Sequence, residues 1–250
     1  MKTAYLNLRH GVPERRAAWH NGLERCGFNV CDVETAEAVR PKRDSDIFVS
    51  WNRHVDGGRA ADRFAASGCK VLITENATWG NGFAGAHWYT VCRDYHNVRG
   101  TFPIGGPERW ESLGVELAPL GGLVLQAPVV LASRGIGPIA HRQPTGWADS
   151  AARRAGARIR QHPGKAGTVA DLRSDVLGAS RVITWGSGAA VLALMWGIPV
   201  ESHLRGWIAE QENTEASRWA MLCTLAWAQW RLEEIARGEP IARLLLVEPK

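Results

Sequence analysis

The stretch VITWGSGAAVLALMWGIPV, residues 182–200, decides how this chain is read. A β-branched apolar run over 181–185 stops at Gly186-Ser187-Gly188, an Ala/Leu-rich helix follows over 188–196, and a strand over 198–202 leaves through Gly197-Ile198-Pro199-Val200. Strand, glycine turn, helix and strand in that order read as a parallel β-α-β unit, because parallel neighbours need a crossover and the crossover is usually a helix. In an open parallel sheet, ligands bind beyond the carboxyl ends of the strands, beside helix N-termini whose free N–H groups attract anions. Gly186, Ser187 and Gly188 stand at such a place: the glycines admit a phosphate close to the backbone, and the serine adds a hydroxyl donor. An ordinary βα turn capped by Ser187 would use the same residues. The turn lacks the lysine of a P-loop and the G-x-G-x-x-G of dinucleotide enzymes, so neither triphosphate hydrolysis nor dinucleotide redox chemistry is indicated.

The alternation continues outward from this stretch. Thr3–Leu8, Asn29–Val33, Asp46–Trp51 and Lys70–Asn76 read as strands, with a helix opened by Pro13 and running to Arg25, and another over 58–67. Between Ala77 and Pro107 the pattern dissolves into Gly, Asn, His and aromatics, a long loop of the kind that carries function. A second alternation follows: a strand over Gly121–Pro128, a helix over Trp147–Ala155, a strand over Ala157–Gly164 and a helix over Thr168–Ala179. Thr214–Arg237 reads as one helix of about 35 Å, long enough to reach from the second unit back onto the first. Trp219, Leu222, Ala226 and Trp230 share one of its faces. The expected fold class is α/β, with a first domain over 1–120, a second over 121–205 and a helical segment over 206–250.

Composition bounds the function. The 250 residues carry a formal net charge of +5, which favours polyanionic partners without implying nucleic acid. No run of about 18 apolar residues is present and the N-terminus turns charged early, so the expectation is a soluble cytoplasmic protein with no membrane partner. The five cysteines are scattered and form no C-x-x-C pair, as expected for reduced structural thiols. Among the twelve tryptophans, Trp51, Trp79 and Trp88 stand beside Gly, Asn, His and Arg, where a ring stacks on a sugar or base as readily as it packs.

Three strand ends in the second half carry donors. Leu131–Gly137 places Arg134 beside Gly135, the next strand ends with Arg160 and His162 before a Pro-Gly break, and the third ends at Ser187-Gly188. Together they read as a rim suited to a diphosphate. The series R-x-H-P-G, G-S-G, Ala-rich helix, G-I-P-V resembles the donor-binding half of GT-B glycosyltransferases. The whole string, with ENATWGNGF, DYHNVRG, GGPERW and LAWAQWRLEEI, is similar to a group of small phage and prophage proteins.

That resemblance implies two Rossmann-like units facing across a cleft, the second holding a nucleotide-sugar and the first an acceptor. It implies metal-independent glycosyl transfer with no cofactor beyond the nucleotide-sugar, UDP-sugar favoured, in which dipoles and basic groups stabilise the leaving diphosphate. The absence of H-x-H and H-E-x-x-H agrees with the lack of a dedicated metal site. Donor-binding residues are then Arg134, Gly135, Arg160, His162, Ser187, Gly188 and Glu201, the last for a ribose or sugar hydroxyl. The general base falls to Glu75, at a strand end, or to Asp94, with His87 and His96 as further options. Trp79, Asn81, His96, Asn97 and Arg99 suit the acceptor. A phage context points to hydroxymethylated pyrimidines in DNA, with Arg9, Arg15, Arg16, Arg40, Lys42, Arg43, Arg53 and Arg59 gripping phosphates. A surface polysaccharide or lipid-linked glycan, a nucleotide-sugar epimerase and a non-enzymatic DNA-binding phage protein are the alternatives.

Overall fold

The structure, a computed structural model, describes residues 2–8, 12–53, 55–95, 100–122, 126–135, 141–166 and 171–246. In chain order its elements are β1 (Thr3–Asn7), α1 (Pro13–Arg25), β2 (Asn29–Asp32), β3 (Ile47–Trp51), α2 (Val55–Ala66), β4 (Lys70–Asn76), β5 (Trp88–Arg93) and α3 (Glu108–Glu111). There follow β6 (Val129–Leu131), α4 (Trp147–Ala155), β7 (Arg158–Arg160), α5 (Pro163–Ala166), α6 (Leu172–Val176), β8 (Val182–Thr184), α7 (Ala189–Met195) and β9 (Val200–Ser202). The chain finishes with α8 (Glu215–Ala226), β10 (Gln229–Arg231), α9 (Leu232–Ala236) and α10 (Glu239–Leu246). It divides into two compact units, one of residues 1–109 with 224–250 and one of residues 110–223. The division therefore falls nearer 109 than 120, and the 206–250 segment is shared between the units instead of standing apart.

Unit 1 holds a six-stranded sheet in the order β10-β5-β4-β3-β1-β2. Its β2-β1-β3-β4 part is parallel, whereas β5 and β10 are antiparallel additions at one side. One face packs on α2, with Phe64 edge-on to Tyr5 at 5.3 Å and stacked on Phe48 at 5.0 Å, beside Val71 and Ile73. Gly22 brings α1 against α9: a Cβ there would lie 2.0 Å from the Ile235 carbonyl oxygen, so only glycine permits the approach. Unit 2 holds a four-stranded, fully parallel sheet in the order β7-β6-β8-β9, with α4 packed over Val130, Ile159 and Ile183. Both parallel sets share one topology and are Rossmann-like. The helix-to-strand passages use one device as well. After α2 and α7 the chain turns at left-handed Gly68 and Gly197, and the next N–H returns to the helix, Cys69 to Phe64 and Ile198 to Ala193.

Two sequence expectations are corrected here. The supposed loop between Ala77 and Pro107 contains β5, a strand buried at all six positions. A strand covered on both faces loses the alternation by which strands are recognised. The expected helix over Thr214–Arg237 is also broken. Helix α8 stops at Ala226, β10 pairs with the outer side of β5 through Gln229–Thr90 and Trp230–Tyr89, and Glu234 caps a new helix at Arg231. Unpaired backbone on the buried β5 would cost more than one interrupted helix. The return to unit 1 is thus made by a strand and two short helices. Among the described residues, no helix is long and apolar enough to cross a membrane.

The β10–α9 turn is fastened by Arg109, whose guanidinium donates to both carboxylate oxygens of Glu234, at 2.8 and 2.7 Å, and to the carbonyls of Ala226 and Gln229. The Arg109 and Glu234 side chains are only 13% and 12% exposed. Burial alone would raise the Glu234 pKa, but hydrogen bonds and charge from Arg109 and the Arg231 N–H outweigh it and hold the carboxyl below its ordinary value. A depressed folded pKa stabilises above the unfolded value, and that stabilisation disappears as pH falls through the folded one. Glu234→Gln should therefore cost about 3 kcal/mol at pH 7 in urea unfolding. The gap to the unsubstituted protein should narrow as pH falls from the ordinary carboxylate value of about 4 through the lower folded one, closing once the carboxyl is protonated in both states.

Candidate functional site at the strand ends of unit 2

The chain leaves β6 for one neighbour, β7, and later returns to the other side as β8. The crevice between β6 and β8 is consequently the topological switch point of this sheet, the place where open α/β sheets bind ligands. Leu131 pairs with both Arg160 and Thr184, so three loops leave the sheet from one row, with strands about 4.8 Å apart.

Arg134, in the first loop, is exposed, and among the described residues no carboxylate pairs with it. It lies beside His162: a Cβ on Gly164 would be 3.2 Å from both Arg134 Cδ and His162 Nδ1. His162 Nδ1 accepts the Gly164 N–H at 2.9 Å, which leaves the ring proton on Nε2. Gly135 adopts φ +67° and donates its N–H to Ser133 Oγ, so it shapes the loop instead of offering a donor. In the third loop the Ser187 N–H is held by Thr184 Oγ1 at 2.9 Å, Gly186 turns at φ +71° and Gly188 opens α7. The Ser187 hydroxyl has no protein partner among the described residues. Arg134, His162, Ser187 and Gly188 therefore lie along one row of strand ends.

Other expected residues are occupied elsewhere. Arg160 forms an ion pair with Asp175 at 2.8 Å and its side chain is 9% exposed, so it fastens α6 to the sheet. Glu201 is bound by Arg181 at 3.0 Å and by His203 at 2.7 Å. The His203 hydrogen bond, then the Arg181 charge, hold its pKa below the ordinary carboxylate value against a burial effect of opposite sign. In unit 1, Glu75 lies half-buried opposite Thr90, while the Asp94 N–H reaches Val71. Four strand residues, about 13 Å, separate these levels, so the two carboxylates cannot act as a pair. Trp79 is 2% exposed, stacked on Phe83 at 4.9 Å and edge-on to Trp88 at 5.2 Å, and presents no face to an acceptor. Asn81 clamps its own turn through the Ala77 N–H and Asn76 Oδ1. His96, Asn97 and Arg99 lie outside the described residues.

The arginines expected to grip DNA are largely engaged within unit 1. Arg16 pairs with Asp32, Arg53 with Asp62 and Arg59 with Asp56 and Glu37, while Arg40 binds the carbonyls of Glu37 and Val39. Arg15 is buried with its guanidinium 3.9 Å over the Trp51 ring. Arg9 lies outside the described residues.

Sequence reasoning missed an aromatic group beside the same strand ends. Trp147 donates its indole N–H to His203 Nδ1 at 3.0 Å and meets Trp185 edge-on at 5.6 Å. Glu201 and His203 are two apart in an extended segment and hence share a face, which was the signal available. An apolar hollow of about 530 Å³ lies instead at the opposite strand ends, around Trp196, Leu177, Ile198 and Pro119, and the described part of its lining offers no charge for a diphosphate.

No protein-family model matches the chain, and no curated protein does. Similarity to solved structures is weak. Ligand-free aspartate transcarbamoylase from Trypanosoma cruzi has a TM-score of 0.29 at 13% identity, covering 91% of this chain and 82% of that one. Ornithine carbamoyltransferase from Gloeobacter violaceus has 0.26 at 13%, covering 95% and 86%. AviGT4, a glycosyltransferase involved in avilamycin A biosynthesis, has 0.32 at 16%, covering 98% of each chain. What this chain can do therefore rests on its own residues.

Because Trp147 occupies Nδ1 as a donor, His203 must carry its proton on Nε2, where Glu201 accepts it. Nitrogen-detected NMR at neutral pH should find this Nε2–H tautomer. Trp147→Phe should erase the preference and cost about 1 kcal/mol in unfolding experiments.

Proposed function

We propose that unit 2 binds the diphosphate of a nucleotide-sugar, UDP-sugar favoured, and that the protein is a glycosyltransferase. The observation supporting this reading is the row of strand ends at the β6/β8 switch point, with the Arg134 cation, which no described carboxylate pairs, His162 and the Ser187 hydroxyl gathered beside it. Such fixed donors stabilise charge as it develops on a leaving diphosphate, with little reorganisation when the bond breaks. On this reading Arg134 carries the charge compensation, while Ser187 and the N–H groups opening α7 orient phosphate oxygens. The acceptor role falls to unit 1, where Glu75, paired with Thr90 of β5 near the end of β4, is the general base.

The acceptor is proposed as a hydroxyl, either of a hydroxymethylated pyrimidine in DNA or of a glycan. The internal pairing of Arg16, Arg53 and Arg59 favours the neutral glycan, because DNA binding draws its affinity from cations free to replace counterions.

Thermal unfolding with a nucleotide panel tests the donor. UDP or a UDP-sugar at a hundred times its dissociation constant should raise the midpoint by about 5–10 °C. Arg134→Ala should weaken that binding at least tenfold, about 1.4 kcal/mol, without lowering the midpoint of the unliganded protein. Absence of any response to nucleotides would remove the proposal. Incubation of a responding donor with hydroxymethylated DNA, plain DNA and glycans, followed by mass measurement, then separates the acceptors.

A further inference from the structure

Unit 1 has its own switch point, between β1 and β3, and the sequence motifs did not single it out. Ser50 lies near the end of β3, fully buried, and its Oγ has no hydrogen-bond partner. It faces the first turn of α2. A Cβ added to Gly57 would stand 2.7 Å from that Oγ, 3.6 Å from Asn7 Oδ1 and 3.8 Å from the Asn52 carbonyl oxygen. The first N–H groups of α2, at Val55, Asp56 and Gly57, have no helical acceptor. Leaving a buried hydroxyl unpaired is unfavourable, and a polar group from outside would satisfy it while using amides that the helix itself does not engage.

The surrounding chemistry decides what that group is. Asn7 donates its Nδ2 to the Val33 carbonyl at 3.0 Å, which turns its Oδ1, an acceptor, toward Gly57. The Asn52 carbonyl is a second acceptor. Arg53 and Arg59, which follow β3 and lie in α2, are neutralised by Asp62, Asp56 and Glu37. Among the described residues, an anion would meet these lone pairs with no free positive charge of the junction to offset them. A hydroxyl accepts from an α2 amide or from Ser50 and donates to Asn7 Oδ1. The backbone is also held at φ +55° at Asn52 and +45° at Val55, a strained geometry for a β-branched residue that is maintained across this junction.

We infer that the β3–α2 junction, with Ser50, Asn7, Gly57 and the first turn of α2, binds a hydroxyl of a neutral sugar or polyol. This stands independently of the nucleotide reading, which concerns unit 2.

Saturation-transfer NMR on the full chain, with methyl glycosides of glucose, galactose and ribose as probes, tests it. Transfer to at least one glycoside is expected, weakened fivefold or more in Ser50→Ala and in Gly57→Ala. The thermal midpoint of Ser50→Ala should stay unchanged or rise, because the substitution removes an unpaired group. Silence from all three glycosides, undiminished transfer in Ser50→Ala, or a fall in its midpoint would overturn the inference. Displacement of the glycoside by equimolar sulfate would also overturn it, by making the junction an anion site. None of these outcomes touches the response of unit 2 to UDP or its loss in Arg134→Ala, so the two proposals fail separately.

Discussion

Each unit is closed by one largely buried arginine that binds main-chain carbonyls, and the rest of the architecture depends on that contact. In unit 1, Arg109 gathers the carbonyls of Ala226 and Gln229 together with the Glu234 carboxylate, and so holds β10 and α9 where the chain arrives from α8. In unit 2, Arg218, 2% exposed, donates to the carbonyls of Ala118 and Leu194 and pairs with Glu215. A guanidinium is suited to this work, since its planar fork satisfies several acceptors at once and it stays charged when buried. Lysine, with one point charge, would leave some of those carbonyls without a partner.

The parts legible in the sequence are those fixed by local chemistry. Pro13 starts α1, Lys70–Asn76 forms β4 with the expected bounds, and Trp147–Ala155 is helical as its pattern implies. What escaped was fixed by distant partners. The β5 strand shows no alternation because β4 and β10 flank it inside a covered sheet, and β10 interrupts a good helical periodicity because that flank needs pairing. The site divides in the same way. Arg134 and Ser187 were legible because strand ends follow from the order of elements. Arg160 was not, since its role is settled by Asp175, and Trp79 was not, since Phe83 and Trp88 enclose it.

The parallel parts of the two sheets share one strand order but present different chemistry at their switch points. Unit 2 offers a cation that no described carboxylate pairs, an imidazole and a hydroxyl. Unit 1 offers acceptors, amides and a buried hydroxyl among cations already paired. The same topology thus supplies a charged edge in one unit and a neutral one in the other, and the difference comes from loop residues rather than from the sheets.

Because residues 110–223 form unit 2 and the chain re-enters unit 1 only at residue 224, unit 1 cannot be completed in order of synthesis. The outer edge of β5 waits for β10 while the whole of unit 2 is translated, on the order of ten seconds at ribosomal speed. During that interval an apolar strand edge is open to foreign strands, the situation that promotes misassembly on the ribosome. The insertion of one unit within the other therefore makes the birth of the polypeptide a vulnerable moment for this protein.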